Sequence, residues 1–134
     1  MAVSVPPAGL RELDLQGCAA LDGRALACLG ALRQLSALCL DQCALLTDAH
    51  LPALAGCVGL RRLSLAGCRG VAGEGVGFSA LAGLPALREL NLAGLERLGD
   101  GALAGLAGAS ALTALHLDLC SQLRCALLLW RVSL

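Results

Sequence analysis

The chain has 134 residues, and its ten arginines are balanced by ten acidic residues without a single lysine, so the formal net charge is zero. This length bounds the chain to one domain, and the missing basic stripe argues against nucleic-acid binding. Without lysine, Schiff-base chemistry and a P-loop are excluded. Although 57% of the residues are hydrophobic, they form no continuous run long enough to predict a membrane span.

The chain begins with MAVSVPPAG, residues 1–9, which we interpret as a short N-terminal extension. It has neither a positively charged start nor a long apolar core, so it does not resemble a secretory signal. We therefore expect a cytoplasmic or nuclear location and reduced cysteines.

From residue 10 to residue 123 the leucines recur in one register. Each repeat opens with L-x-x-L-x-L, and successive openings lie 25 residues apart, except for a third interval of 27. The repeats begin at Leu10, Leu35, Leu60, Leu87 and Leu112. A fixed period of this length with this opening is the signature of a leucine-rich-repeat solenoid. We expect a right-handed α/β solenoid of about five repeats, with parallel strands on the concave side and short helices on the convex side.

Within each repeat, the fourth and sixth places should point inward from a short strand, and the third and fifth outward. The strands should centre on Leu13, Leu38, Leu63, Leu90 and Leu115. The second half of each repeat fits a short helix. Asp48 and Asp100 should cap two of these helices, and Pro52 should lie in a first turn. Glycines near the helix ends are expected to be left-handed: Gly30, Gly56, Gly83 and Gly108.

Four of the eight cysteines recur at the ninth place of the repeats: Cys18, Cys43, Cys68 and Cys120. No C-x-x-C pair accompanies them, which makes a structural zinc site improbable. We predict a ladder of buried, reduced thiols that behave as small hydrophobic side chains. Cys28 and Cys57 should also belong to the core, whereas Cys39 should be more exposed. No metal or cofactor is expected.

The third repeat contains the extra residues, within the segment GVAGEGVGF, residues 70–78. Its glycines do not match a G-x-G-x-x-G fingerprint and no lysine follows, so a flexible insertion is favoured over a phosphate loop. His116 and Asp118 share a strand face but have no nucleophile beside them. No nucleophile elbow occurs either, and we expect that the protein is not an enzyme.

The outward places of the strands define a candidate protein-binding face. Carboxylates outnumber cations on it, which favours a partner with some basic character. A solvated face without a partner is the alternative. The predicted contact residues are Glu12, Asp14, Asp41, Arg62, Ser64, Glu89, Asn91, His116 and Asp118. The second places add an arginine row along one edge, formed by Arg11, Arg61 and Arg88.

The stretch LSALCLDQCALLTDAHL, residues 35–51, resembles the cysteine-containing class of leucine-rich repeats. That class is typical of F-box and leucine-rich-repeat proteins, which are substrate receptors of SCF-type ubiquitin ligases. The resemblance implies a substrate-recognition segment. It covers the repeats and not an F-box, so a ligase adaptor would bind only a longer form that carries one. Leu95 departs from the pattern, because it replaces the ladder cysteine of the fourth repeat.

The alternative is a truncated repeat fragment, or a general intracellular scaffold, without a ligase role. Residues 124–134, RCALLLWRVSL, form an apolar tail unlike a repeat or a polar cap. Because a solenoid needs capped ends, we expect self-association through the ends.

Overall fold

Five short strands form one parallel sheet, in a computed structural model that describes residues 9–123. Almost all of the predicted N-terminal extension and the whole apolar tail, residues 124–134, lie outside the described residues. The strands follow one another in chain order, so each repeat pairs with the next. They are β1 (Glu12–Asp14), β2 (Ala37–Cys39), β3 (Arg62–Ser64), β4 (Glu89–Asn91) and β5 (Ala114–His116).

The register places the fourth leucine of each repeat beside its equivalent in the next. Leu38 pairs with Leu63, and Leu63 pairs with Leu90. All three side chains are at most 2% exposed. Leu13 and Leu115 are only partly buried, because each has one neighbouring repeat among the described residues. The predicted strand centres and inward places are therefore confirmed.

The segments between the strands contain helical turns that pack against one another. They are α1 (Gly23–Leu29), a 3₁₀ helix (Asp48–Gly56), α2 (Gly77–Ala82), and α3 (Asp100–Gly105), which continues into a 3₁₀ turn (Leu106–Gly108). Pro52 is the fifth residue of the 3₁₀ helix rather than part of a first turn, so that prediction is wrong. Since proline lacks an N–H, it cannot donate to the backbone ladder of a longer α-helix.

The prediction that Asp48 and Asp100 cap helices is wrong: each is the first residue of its helix, and the N-cap residues are Thr47 and Gly99. Asp22, which the sequence pattern did not single out, caps α1 by accepting from the N–H groups of Arg24 and Ala25 at 3.1 and 3.2 Å. Asp48 instead reaches the third repeat, where its two oxygens accept from Ala72 N at 3.1 Å and Gly73 N at 2.9 Å. The Asp48 carboxylate therefore links the second repeat to the third instead of capping the start of a helix.

The two hydrogen bonds of Asp48 hold the insertion of the third repeat against the second repeat. Val71 and Phe78, on either side of it, are at most 2% exposed, and Gly73 packs so closely on α3 that a Cβ there would lie 2.5 Å from that of Ala102. Only the middle of the insertion, around Val76, projects into solvent. The predicted flexible insertion is thus anchored at both ends.

The glycines near the helix ends are not left-handed. Gly30 and Gly83 have φ of −60° and −76°, so this prediction is wrong. A Cβ on Gly56 would lie 2.2 Å from the carbonyl oxygen of Gly30. Glycine is needed at residue 56 because the backbones of successive repeats approach closely there.

The left-handed conformation recurs instead at the eighth place of every repeat, where the chain turns after the strand. Glycine occupies this place in three repeats, as Gly17, Gly67 and Gly94. In the other two repeats the residues are Gln42 and Leu119, with φ of 57° and 62°. Non-glycine residues pay a steric cost in this conformation.

The ninth-place thiols form hydrogen bonds between repeats. Each donates to the carbonyl oxygen of the sixth-place leucine in the preceding repeat: Cys43 to Leu15 at 3.3 Å, Cys68 to Leu40 at 3.0 Å, and Cys120 to Leu92 at 3.0 Å. All three are buried. Burial raises the pKa of Cys68 to about 11, so its thiol keeps its proton at neutral pH.

Three other cysteines test the prediction further. Cys57 is buried and donates to Leu29 O at 3.2 Å. Cys18 is only half-buried, since no earlier repeat packs against it among the described residues. The expectation for Cys28 is wrong: it is exposed, because Leu26 is the residue that α1 buries.

Candidate functional site

The outward places of the five strands form two parallel rows across the sheet. The third-place row runs Glu12, Ala37, Arg62, Glu89 and Ala114, and the fifth-place row runs Asp14, Cys39, Ser64, Asn91 and His116. All of these side chains are exposed or half-buried, while the leucine between them on each strand points the other way. The sheet register therefore brings together residues that are far apart in the chain.

In the third-place row an ion pair crosses an intervening strand. Arg62 Nη2 lies 3.7 Å from Glu12 Oε1, and the two residues are two strands apart with Ala37 between them. The small alanine leaves room for both side chains to meet over β2. Because both are well exposed, the pair contributes at most about 1 kcal/mol to stability, and a partner can replace it.

A second contact between strands joins the two rows. His116 Nε2 lies 3.1 Å from Glu89 Oε1, and both side chains are nearly half exposed. Two carboxylates of this face, those of Glu12 and Glu89, therefore each contact one basic residue.

Asp41, which belongs to the predicted contact set, also forms hydrogen bonds between two repeats. Its Oδ1 accepts from the Ser64 hydroxyl and, at 2.9 Å, from Ala66 N in the next repeat. This half-buried carboxylate therefore ties the turns after β2 and β3 together. A substitution at Asp41 would disturb the sheet as well as any partner contact.

Asp14 and Asn91 also use one side-chain oxygen locally. Each accepts from the backbone N–H two residues later, Gln16 and Ala93 respectively, at 3.0 Å. Such bonds stabilise the turn at the end of a strand. The remaining oxygen of Asp14 stays on the exposed face, where it adds to the negative charge around Glu12.

These residues surround a shallow depression of about 550 Å³ across β1 to β4. Six of the predicted contact residues line it: Glu12, Asp14, Arg62, Ser64, Glu89 and Asn91. The other three, Asp41, His116 and Asp118, lie outside its lining. The structure thus gathers six of the nine predicted residues around one depression, while His116 lies on β5 and Asp41 and Asp118 lie in the turns that follow strands.

The predicted contact set omitted Cys39, which lies among the residues lining the depression. Burial and the nearby carboxylates of Asp41 and Asp14 raise its pKa to about 11. The thiol is therefore neutral at physiological pH and contributes a small apolar surface to the floor. Its fifth place in the repeat was the signal that would have included it.

None of the helices between residues 9 and 123 is both long and apolar enough to cross a membrane.

Comparisons with known proteins identify the fold. No protein-family model matches the sequence, and the search of curated proteins gives no match. Among solved structures, the chain is similar to the tropomodulin C-terminal domain from Caenorhabditis elegans, with a TM-score of 0.59 and 13% identity over 83% of this chain and 75% of that one. It is also similar to TLR13 from a complex with ssRNA13, with a TM-score of 0.57 and 23% identity over 83% of this chain. The match spans only 16% of the TLR13 chain. Both neighbours are leucine-rich-repeat structures, and the chain accordingly has the fold of a leucine-rich-repeat solenoid segment.

Proposed function

We propose that this chain is a protein-interaction module that binds its partner on the concave sheet face. The depression lined by strands β1 to β4 carries the proposal. Its side chains project from a sheet whose register is fixed by buried leucines, so their backbone positions are set before a partner arrives. Such preorganisation lowers the cost of binding.

The charges on this face indicate the chemistry of the partner. Glu12, Asp14 and Glu89 line the depression, and Arg62 is the one arginine among the described lining residues. Arg62 therefore only partly offsets their negative charge. An arginine or lysine of the partner could replace Arg62 as the ion-pair partner of Glu12, and other basic groups could pair with the remaining carboxylates.

The finer proposal is that the module recognises substrates for an SCF-type ubiquitin ligase. It rests on the resemblance of the repeat to the cysteine-containing class, and the thiol hydrogen bonds of Cys43, Cys68 and Cys120 are in keeping with it. The second candidate is a scaffold or repeat fragment without a ligase role. It requires only the concave face and its depression, which lie within the described residues.

A matched pair of charge-reversal variants tests the binding face. Glu12→Lys with Glu89→Lys changes the floor, whereas Glu74→Lys with Glu96→Lys makes the same change in total charge at exposed places outside it. Each protein is immobilised, and proteins captured from cell extract are quantified by mass spectrometry. We expect a specific partner to fall by about tenfold with the floor variant and to change little with the control.

Equal loss of every captured protein with both variants would refute the concave face as the binding surface. The ligase role is tested separately by repeating the capture with an F-box-bearing extension. Recovery of the partner together with a ligase adaptor supports that role. Recovery of the partner without an adaptor supports the scaffold.

A further inference from the structure

The arginine row, formed by Arg11, Arg61 and Arg88, lies where the strands begin, on the edge of the sheet beside the concave face. All three side chains are exposed. Within residues 9–123, Glu12 forms an ion pair with Arg62, and Glu89 lies within hydrogen-bond distance of His116. The carboxylates nearest to the row in sequence are therefore already matched, and the row presents unbalanced positive charge on a chain whose formal net charge is zero.

The backbone beneath the row fixes the spacing of these side chains. Each second-place carbonyl accepts two N–H groups of the next repeat: Arg61 O accepts from Arg88 N at 2.9 Å and from Glu89 N at 3.0 Å. Arg11 O and Arg88 O form the same pair of bonds with the repeats that follow them. Ser36 and Thr113, which fill the remaining second places, also donate their hydroxyls to Arg11 O and Arg88 O at 3.2 Å. The row is thus anchored from one end of the sheet to the other.

Shallow depressions separate the arginines. One of about 390 Å³ lies between Arg11 and Arg61 and is lined by Ser36 and Gly59. Another, of about 340 Å³, lies between Arg61 and Arg88, and its lining includes Thr113 together with Arg62 and Glu89 of the concave face. These depressions give a bound chain room to lie against the row, with its side chains directed at the guanidinium groups.

We propose that the arginine row binds an extended acidic segment of a protein partner, along the edge that adjoins the partner site on the concave face. Strands lie about 4.8 Å apart, so Arg11 and Arg88 are separated by three such spacings, about 14 Å. An extended chain covers about 13–14 Å between residues i and i+4 and presents alternate side chains on one side. Carboxylates at i, i+2 and i+4 can therefore reach the whole row, and arginine can bind each with two hydrogen bonds.

Other anionic partners fit the row less well. Nucleic-acid binding relies on many phosphate contacts and on exposed aromatic side chains for stacking. The described residues have one aromatic side chain, Phe78, which is 2% exposed. Recognition of anionic membranes uses clusters of about four to eight basic residues, more than the row provides.

The test measures binding of a fluorescein-labelled pentapeptide, Glu-Ser-Glu-Ser-Glu, to the full chain by fluorescence anisotropy at low and moderate salt. We expect salt-sensitive binding and no binding of the Gln-Ser-Gln-Ser-Gln peptide. Arg61→Glu with Arg88→Glu should weaken binding by at least about tenfold. The control, Arg24→Glu with Arg97→Glu, makes the same charge change at other exposed places and should weaken it less than about twofold.

Equal weakening by the two double variants would overturn the proposal, as would the absence of peptide binding. Tighter binding of a single-stranded RNA oligomer or of phosphatidylserine vesicles would also overturn it, because the row would then serve a different class of partner. Circular dichroism checks that each variant folds. If the glutamate variant does not fold, Arg61→Gln with Arg88→Gln replaces it, and unchanged peptide binding by that variant refutes the proposal.

Discussion

Replacing Gly56 by alanine tests how closely the helical segments of successive repeats are stacked. The new Cβ would lie 2.2 Å from the carbonyl oxygen of Gly30 and 3.0 Å from its carbonyl carbon. Both atoms belong to the backbone and cannot rotate away, so the two repeats would have to separate by about 1 Å to restore an ordinary contact. Overpacking of this kind costs about 1–3 kcal/mol, and we expect the free energy of unfolding to fall by that amount.

Gly108→Ala is the matched control. Gly108 occupies the same place in the fourth repeat and also ends a 3₁₀ segment, but a Cβ there would meet nothing within 4 Å. Neither glycine has a positive φ, so alanine should raise stability at residue 108 by up to about 1 kcal/mol by restricting the unfolded chain. Urea unfolding followed by far-UV circular dichroism measures both variants. Equal stabilities of the two variants would refute the argument from close approach.

Two further predictions concern the turns and the thiols. Leu119 has φ of 62° and is 83% exposed. Leu119→Gly should therefore relieve the steric cost of the left-handed backbone with little loss of buried surface, and the free energy of unfolding should rise by up to about 1 kcal/mol. A decrease in the urea midpoint would contradict this. Thiol labelling of the native protein should modify the exposed Cys28 first, and the half-buried Cys39 more slowly, because burial and nearby carboxylates raise the pKa of Cys39 to about 11. Cys43 and Cys68 should react last, because they are buried and burial raises the pKa of both thiols; early labelling of Cys68 by mass spectrometry would count against the ladder.

The candidate site could be predicted because it follows directly from the strands. Once Leu38, Leu63 and Leu90 are known to point inward, their neighbours Arg62, Glu89 and Asn91 must point outward, since side chains alternate along a strand. The repeat then sets these residues side by side. The pairings on the face were not predictable, because the ion pair of Arg62 with Glu12 depends on the reach of two long side chains over Ala37.

The sequence by itself determined the strand positions and the inward leucines, because burial with a fixed period is written directly into the spacing of apolar residues. The tertiary structure alone decided what joins one repeat to the next. In the folded chain, Asp48 accepts hydrogen bonds from the insertion, and the Asp41 carboxylate accepts hydrogen bonds from Ser64 and Ala66. Residue 56 must be glycine because the backbones of two repeats approach closely there, and not because of a left-handed turn. These features depend on distances between backbones about 25 residues apart in the chain, and such distances are fixed only when the repeats stack.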